Sequence, residues 1–241
     1  MSGERPLDGL VAAVTGGAGA IGRAIVINLA EQGARVFSLD VAVSGGDAGA
    51  SINCDVRDET SVAGAIQAIV QRAGRLDIVV HAAGVSRESV VWKLSSDDWD
   101  LVHSVNLRGA FLMIKHAIPS MRSAGAGRIV LIGSINGSRG KFGTSAYAAS
   151  KAGLSGLARS AARETGRFGI LVNVVEPGWV KTPLTNALPP DVQEKALSET
   201  LLGEFVDPED VAAVVGFLCG PGARKITGQV IRVDSGQLLG G

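Results

Sequence analysis

Short runs of β-branched residues alternate with longer segments of helical periodicity along the whole chain, and this alternation restricts the fold more than any other feature. The runs are almost continuously apolar, as in parallel strands that are buried on both faces. Strands that alternate with helices indicate a parallel sheet covered by helices on each side. The prediction is a three-layer α/β fold with seven parallel strands, at Val11–Thr15, Arg35–Asp40, Ser51–Asp55, Leu76–His81, Arg128–Ile132, Ile170–Val175 and Gln229–Val233.

Five helices are predicted between these strands, at Ile21–Gln32, Glu59–Ala73, Asp97–Met121, Ser145–Phe168 and Pro208–Cys219. The last of them has a clear start, because Asp207 can cap it and Pro208 suits the first helical position. Two glycine-rich stretches, Gly45–Gly49 and Gly137–Gly143, are interpreted as loops. No change in composition divides the chain, so a single domain over residues 1–241 is predicted.

The segment Lys181–Gly203 lies between a predicted strand and a predicted helix and combines three prolines with five leucines. An apolar, proline-interrupted excursion of this length is typical of a functional loop. We therefore expect a flexible substrate cover over about residues 181–203 in preference to a packed pair of helices.

Composition excludes several classes of protein. The 23 basic and 23 acidic residues balance, so a nucleic-acid partner is not expected. Cys54 and Cys219 are far apart and are expected to be buried thiols in a reducing compartment. The start lacks a signal peptide, and no apolar run reaches the roughly 18 residues that a membrane span needs. A soluble, cytoplasmic protein without a metal site is predicted.

The first predicted strand runs into the sequence TGGAGAIG, from Thr15 to Gly22, and then directly into a helix. Glycines at such a turn let backbone N–H groups approach a pyrophosphate at the positive end of the helix. The spacing is not the strict GxGxxG pattern, so an ordinary glycine-rich turn explains these residues equally well on their own.

Asp40 ends the second predicted strand, about twenty residues beyond the glycine turn. A carboxylate there can accept hydrogen bonds from both adenosine ribose hydroxyls and would repel a 2′-phosphate. Gly19 offers no basic side chain for that phosphate, so NAD is predicted as the cofactor over NADP. The alternative is that Asp40 only caps a loop.

Two further segments follow strands at the same predicted edge of the sheet. Asp55 and Val56 are placed to face the adenine, although Asp55 also suits the start of a helix. Ala82, Ala83 and Gly84 permit a close approach to the cofactor ribose, although a plain turn of small residues explains them too.

Tyr147 and Lys151 stand four residues apart in the stretch YAASK, and this spacing sets both side chains on one face of a helix. A phenol titrates near pH ~10, and a neighbouring ammonium favours its ionised form. The pair is therefore expected to act as a general acid/base, with Ser134 aimed at the same substrate oxygen. A Tyr-x-x-x-Lys spacing alone occurs by chance in many helices.

With these pieces in order, the chain resembles the short-chain dehydrogenase/reductase family from end to end. The TGxxxGxG turn of that family matches Thr15, Gly16 and Gly22, and its catalytic set matches Asn106, Ser134, Tyr147 and Lys151. Its N-x-x-x-P-G-x-x-x-T element matches Asn173, Pro177, Gly178 and Thr182, and a near-terminal element matches Ile226–Asp234.

The resemblance implies a Rossmann fold, a homotetramer and a role for each matched residue. Tyr147 would move the proton, Ser134 would bond the substrate oxygen, and Asn106 would hold a water behind Lys151. Lys151 would also bond the nicotinamide ribose and lower the tyrosine pKa, while Val180 and Thr182 would meet the carboxamide. The implied cofactor site comprises Gly16, Gly19, Ala20, Ile21, Asp40, Asp55, Val56, Ala82, Ala83, Gly84, Tyr147, Lys151, Pro177, Gly178, Val180 and Thr182.

The likeness within the family is greatest to 3-oxoacyl reductases, but several positions depart from their pattern. Ala20 and Ser235 replace glycines, and His81-Ala82 replaces a pair of asparagines. His81 is interpreted as a satisfied surface residue in preference to a compensating one. Gly125 and Phe168 stand where carrier-protein reductases often place arginines.

Together with Asp40, these departures favour an NAD-dependent dehydrogenase that interconverts an apolar secondary alcohol, such as a hydroxyacyl or cyclic alcohol, and its ketone. The alternative is an NADPH-dependent 3-oxoacyl-[acyl-carrier-protein] reductase of fatty-acid synthesis. A non-catalytic dinucleotide sensor is disfavoured because the tyrosine and lysine are both present, and a sugar-nucleotide epimerase is disfavoured by the short C-terminal region.

Overall fold

The computed structural model describes residues 5–42 and 50–240, and its centre is one sheet of seven parallel strands. The strands lie in the order β3-β2-β1-β4-β5-β6-β7. The predicted fold class and strand number are therefore confirmed. The observed bounds are Val11–Thr15 (β1), Arg35–Asp40 (β2), Ala50–Asn53 (β3), Ile78–His81 (β4), Gly127–Ile132 (β5), Ile170–Pro177 (β6) and Val230–Val233 (β7).

Helices cover both faces of the sheet, so the three-layer prediction is confirmed. The described helices are Ala20–Glu31 (α1), Glu59–Ala73 (α2), Ser96–His103 (α3), Gly109–Ala124 (α4), Ile135–Arg139 (α5), Ser145–Thr165 (α6), Pro183–Asn186 (α7), Pro190–Ser198 (α8), Pro208–Cys219 (α9) and Gln237–Gly240 (α10). Helices α2, α4 and α6 bury their apolar residues on one face of the sheet. Helices α1 and α9 do so on the other face and contact each other.

The predicted long helix Asp97–Met121 is divided in the structure. A π-helical segment, Ser104–Arg108, separates α3 from α4 and contains the predicted site residue Asn106. Such a segment shifts the helical register and is frequent at functional sites. Apolar periodicity alone did not reveal it, because the extra residue changes the phase of the pattern only locally.

The stretch Gly137–Gly143 is not a loop throughout, because α5 occupies Ile135–Arg139. Ser134 caps this short helix by accepting a hydrogen bond from the backbone N–H of Asn136, and Gly140 ends it with a φ of +71°. The cap and the glycine together explain why so short a segment is helical. The other predicted loop, Gly45–Gly49, lies outside the described residues.

The segment Lys181–Gly203 contains two helices, α7 and α8, so its prolines do not exclude helical structure. Pro183 and Pro190 occupy the first positions of these helices, where the missing N–H of proline has no cost. Helix α9 begins at Pro208 as predicted. Within the described residues, no helix is both long and apolar enough to cross a membrane.

Candidate active site

The predicted site residues gather at the carboxyl edge of the sheet, near the point where the strand order reverses between β1 and β4. Parallel sheets of this topology bind ligands in the crevice outside this point. Thr15, Asp40 and His81 end their strands here, and the segment after β5 carries Ser134. The topology thus brings together residues that lie far apart in the sequence.

The turn after β1 has a backbone that only glycine permits. Gly16 has a φ of +66°, and a Cβ atom on it would lie 2.7 Å from the backbone of Ala83. A Cβ atom on Gly22 would overlap the carbonyl oxygen of Gly16. Gly19 precedes α1, and no described side chain caps the N–H groups of that helix. These donors have the arrangement that suits a pyrophosphate, and Ala20 and Ile21 are the first residues of α1.

Asp40 lies directly beside this turn. Its Oδ2 accepts a hydrogen bond from the backbone N–H of Ala18, at 3.1 Å, and its Oδ1 accepts one from Ala42, at 3.2 Å. Each carboxylate oxygen retains a further lone pair for a ribose hydroxyl. The position at the end of β2 fits ribose recognition, and Asp40 also orders the turn itself.

Ser134, Tyr147 and Lys151 converge between β5 and α6. Ser134 is 7% exposed and its side chain is hydrogen-bonded to the Tyr147 hydroxyl. Lys151 is 4% exposed, and its Nζ donates a hydrogen bond to the carbonyl oxygen of Ile132 at 2.7 Å. The same Nζ lies 5.6 Å from the centre of the Tyr147 ring. The structure therefore places a hydroxyl, a phenol and an ammonium around one point.

The pKa of Tyr147 differs in direction from the expectation. Burial raises the pKa of the phenol, and the hydrogen bond with Ser134 only partly opposes this rise. Lys151 was expected to lower the pKa of Tyr147. This expectation is wrong, because the Lys151 ammonium donates its hydrogen bond to Ile132 and not to the phenol. Burial also lowers the pKa of Lys151 to about 8, which leaves it mostly cationic at neutral pH.

Asn106 connects the segment after β4 to the helix that carries Tyr147. Its Oδ1 accepts a hydrogen bond from the N–H of Val85 at 2.8 Å, and its Nδ2 donates to Val85 O and to Ser150 Oγ, both at 3.0 Å. Ser150 in turn donates to the carbonyl oxygen of Tyr147 at 2.8 Å. A Cβ atom on Gly84 would lie 3.3 Å from Lys151 Nζ and 3.5 Å from Asn106 Oδ1, so both groups face the backbone after β4.

The segment after β6 completes the same edge. Pro177 ends the strand, and a Cβ atom on Gly178 would lie 2.8 Å from the Cα of Asp234, so this position requires glycine. Val180 forms an isolated bridge with Val206. Thr182 caps α7 through reciprocal hydrogen bonds with Thr185, which shows that it begins a helix and is more than a simple turn residue.

Comparison with known proteins agrees with this architecture. A protein-family model described as Enoyl-(Acyl carrier protein) reductase matches residues 16–237. The 3-oxoacyl-[acyl-carrier-protein] reductase FabG of Thermotoga maritima is 36% identical, covering 97% of this chain and 99% of its own. The crystal structure of gox2181 has a TM-score of 0.94 and 33% sequence identity, covering 98% of each chain. The chain belongs to the short-chain dehydrogenase/reductase family.

This short-chain dehydrogenase/reductase is accordingly an oxidoreductase that acts on CH–OH groups or the corresponding carbonyls, and its family binds a nicotinamide coenzyme. Two further relatives have different names. The acetoacetyl-CoA reductase of Synechocystis sp. is 40% identical and covers 95% of this chain and 96% of its own. The (3R)-3-hydroxyacyl-CoA dehydrogenase of Canis lupus familiaris is 36% identical and covers 98% of this chain and 99% of its own.

In this short-chain dehydrogenase/reductase His81 is fully buried, so its interpretation as a surface residue is wrong. Its Nδ1 lies 3.0 Å from Thr15 Oγ1, which also accepts a hydrogen bond from the N–H of Ala83 at 3.2 Å. A Cβ atom on Gly109 would lie 3.2 Å from the imidazole ring, so His81 also packs against the start of α4. The histidine thus connects the end of β1 to the segment after β4 through Thr15, while its Nε2 has no hydrogen-bond partner among the described residues.

The residues that were predicted to face the adenine, and the other departures from the family pattern, are accommodated locally. The guanidinium of Arg57 binds the carboxylate of Asp55, with an N–O distance of 2.7 Å, and lowers the pKa of Asp55. Val56 is buried and packs against Gly109. Ala20 adopts a helical conformation in α1, where an added methyl is tolerated. Ser235 has a φ of +52°, alone among the described non-glycine residues in being positive, which fits a position where the family usually has glycine.

Sequence reasoning missed three polar residues that support this site: Ser150, Glu176 and Gln237 are all buried. The side chain of Gln237 accepts a hydrogen bond from the N–H of Trp179 at 2.9 Å and donates to Glu199 at 3.0 Å. A charged residue within the apolar run VNVVEP was a signal that could have revealed Glu176, since a charge is rarely placed in a buried strand without a partner.

Proposed function

We propose that this protein interconverts 3-oxoacyl and 3-hydroxyacyl thioesters, with Tyr147 as the proton carrier. The proposal depends on one observation, the contact between Ser134 and the Tyr147 hydroxyl beside the buried ammonium of Lys151. The names of the relatives favour this substrate class, and hence the earlier 3-oxoacyl alternative, over a general dehydrogenase of secondary alcohols.

In the proposed reduction, the Ser134 hydroxyl holds the carbonyl oxygen of the substrate while Tyr147 donates a proton to it. A bound nicotinamide coenzyme supplies the hydride. Burial keeps the phenol protonated at neutral pH, which suits a proton donor. The phenolate that remains regains a proton from solvent. Asn106 holds the segment after β4 and Ser150, which donates to the carbonyl oxygen of Tyr147.

Exposed apolar side chains near the site are consistent with an acyl chain. Phe142 is 85% exposed and lies in the segment just before α6, while Leu201 and Leu202 follow α8 and are also exposed. The backbone N–H groups of these two leucines donate to the carbonyl oxygen of Ser235, so this part of the segment is held beside the carboxyl edge. We propose that residues 181–203 cover the substrate.

NAD(H) is the proposed coenzyme, because a 2′-phosphate would approach the Asp40 carboxylate. We expect a kcat/KM for NADH about 10²-fold above that for NADPH on acetoacetyl-CoA, since a like-charge contact costs several kcal/mol. Replacement of Asp40 by asparagine should bring the two values within about tenfold. The measurement is initial-rate kinetics with each coenzyme.

Asp58→Asn is the matched control for this exchange, because asparagine also caps a helix and Asp58 caps α2 away from the glycine turn. Its coenzyme preference should equal that of the wild type. A wild-type preference for NADPH would refute the role proposed for Asp40.

An NADPH-dependent reductase of carrier-protein-bound substrates is the second candidate, and one arrangement favours the carrier protein. The guanidinium groups of Arg122 and Arg167 lie 4.4 and 4.7 Å from the centre of the Phe168 ring. Both arginines are exposed. The chain has phenylalanine where carrier-protein reductases often have arginine, but two arginines lie beside this phenylalanine. Their positive charges are suited to an acidic partner.

Kinetics with two carriers test this candidate. If the carrier protein docks here, the double variant Arg122→Ala/Arg167→Ala should raise the KM for the protein-bound substrate about tenfold and leave that for the coenzyme A thioester unchanged. Arg35→Ala is the control, since Arg35 stacks on Phe37 at 5.2 Å in β2, which is separated from β5 by β1 and β4. Equal effects on both substrates would contradict docking at this surface.

The assembly and the location of the protein are separate predictions. We expect the homotetramer that the family resemblance implies, and the groove between α3, α4 and α6, lined by Leu107, Phe111 and Leu157, is one surface where a second copy would pack. A single-domain organisation over residues 1–241 and a cytoplasmic location also remain predictions.

A further inference from the structure

A buried carboxylate lies directly behind the serine of the site. Glu176, in β6, is 1% exposed. Its two oxygens accept from the Ser138 hydroxyl, at 2.9 and 3.1 Å, and its Oε2 lies 3.5 Å from Nε of Arg232, a half-exposed side chain. A carboxylate in this environment carries a substantial desolvation cost, which a single hydroxyl and one distant guanidinium offset only in part. Stability alone therefore gives little reason for a glutamate here.

Glu176 contacts the chain on both sides of Ser134. A Cβ atom on Gly133 would lie 3.0 Å from Cγ of Glu176, so the glutamate stem packs against the residue that precedes the serine. Ser138 follows the serine by four residues, at one helical turn. The one side chain thus fixes the end of β5 and the body of α5, and Ser134 lies between these two contacts.

The remaining end of α5 is held by a second carboxylate. Nη1 of Arg139 lies 2.8 Å from Oε2 of Glu199, and the same oxygen accepts from Gln237 at 3.0 Å. A five-residue helix has little stability of its own, because nucleation costs more than one turn of hydrogen bonds returns. The direction of the Ser134 side chain is therefore set by the contacts that α5 makes with the rest of the protein.

We propose that Glu176 is a positioning residue, which directs the Ser134 hydroxyl toward Tyr147 by holding Ser138 and packing against Gly133. The inference rests on the proposed function for its importance in catalysis. The geometric claim itself needs no substrate to be tested.

The ionisation of Tyr147 reports this geometry directly. The hydrogen bond from Ser134 favours the phenolate, so a misdirected serine should raise the pKa of Tyr147. Tyr147 is the one tyrosine in the whole sequence. An ultraviolet absorbance titration of the protein therefore follows this phenol without interference from another.

Electrostatics and positioning predict opposite results for changes at Glu176. Removal of a nearby negative charge would by itself lower the pKa of Tyr147, equally in Glu176→Ala and Glu176→Gln. Loss of positioning should instead raise it in Glu176→Ala and leave it near the wild-type value in Glu176→Gln, since glutamine keeps an acceptor for Ser138. Ser138→Ala should also raise the pKa of Tyr147. This variant changes no charge and lies at an exposed residue, so it tests the same contact even if Glu176→Ala does not fold.

Asp77→Ala provides the matched control. Asp77 is a buried carboxylate at the opposite edge of the same sheet, where it accepts from the N–H of Val11 and pairs with Arg75 at 2.7 Å. This variant should lower the melting temperature without a change in the Tyr147 titration. If Ser138→Ala leaves the pKa unchanged, or if both Glu176 variants lower it, the positioning role is wrong.

Kinetics complete the test and separate it from the proposed function. Glu176→Ala should lower kcat roughly 10- to 100-fold, the scale of a small misplacement of a reacting group, and Glu176→Gln should restore most of the activity. In a Ser134→Ala background Glu176→Ala should have no further effect on kcat, because its influence passes through the serine. If the losses in kcat from Ser134→Ala and Glu176→Ala are additive, the positioning role is wrong and the proposed function still stands. If the wild type is inactive on these thioesters but the Tyr147 titration shifts as expected, only the proposed function is wrong.

Discussion

Replacement of Tyr147 by phenylalanine is expected to lower kcat by about 10²-fold or more, which is the usual contribution of a general acid or base. The change removes only the hydroxyl that is bonded to Ser134. The ring keeps its position on α6, and the glycine turn and Asp40 are untouched, so the affinity for NAD should remain near normal. Steady-state kinetics and a fluorescence titration with NAD measure the two quantities.

The control for this variant is Ser145→Ala, two residues earlier on the same helix. The Ser145 hydroxyl is buried and has no hydrogen-bond partner among the described residues, so its removal should leave kcat within a few-fold of the wild type. Since Tyr147 is the sole tyrosine, the loss of tyrosinate absorbance verifies the phenylalanine variant. Near-normal turnover in that variant would exclude Tyr147 as the proton carrier.

The folded protein is expected to lose about 2 kcal/mol of unfolding free energy between about pH 7 and pH 5 through His81 alone. Burial and, to a smaller extent, the nearby charge of Lys151 lower the pKa of His81 to about 3, against an opposing effect of the backbone of Val105 and Asn106. The unfolded chain protonates this histidine near its ordinary pKa of 6.5.

The sign follows from proton binding. Below pH 6.5 the unfolded state binds a proton that the folded state does not, so the stability falls as the pH falls, until the folded pKa is reached. The slope is about 1.4 kcal/mol per pH unit. Lys151 does not contribute in this window, because its pKa of about 8 leaves it protonated in both states. Urea denaturation at a series of pH values measures the slope.

His81→Asn, which restores the residue usual in the family, should remove this part of the pH dependence. His103→Asn is the control, because His103 lies on the helix surface and bonds the carbonyl oxygen of Trp99. An identical pH dependence in His81→Asn and the wild type would show that the buried imidazole is protonated in the folded state.

Much of the fold could be predicted because its signals are local. The bounds of β1, β2, α2 and α9 agree with their predictions, since apolar periodicity and caps such as Asp58 act within a few residues. The predictions for Gly137–Gly143 and Lys181–Gly203 were wrong in part for a related reason. Glycine and proline interrupt a helix internally, yet at its ends they favour it, and the sequence pattern does not distinguish the two situations.

The candidate site also combines residues that local sequence patterns indicate with residues that they do not. Gly16 and Gly22 in the TGGAGAIG turn are required by the local backbone, so these residues were visible in the sequence. The convergence of Ser134 and Tyr147 was also predicted, first from their residue types and then from the family pattern. Ser150, Glu176 and Gln237 were missed because nothing in their immediate neighbours indicates which distant groups they meet.

The sequence by itself determined the order of strands and helices, the glycine turn and the four-residue spacing of Tyr147 and Lys151, because these depend on neighbouring residues. Only the tertiary structure decided that Tyr147 has a raised pKa, that His81 is buried and that Glu176 lies behind Ser134. Desolvation and hydrogen bonding at these residues come from strands and helices distant in the chain. Their magnitude and sign are therefore set by packing, which no local pattern encodes.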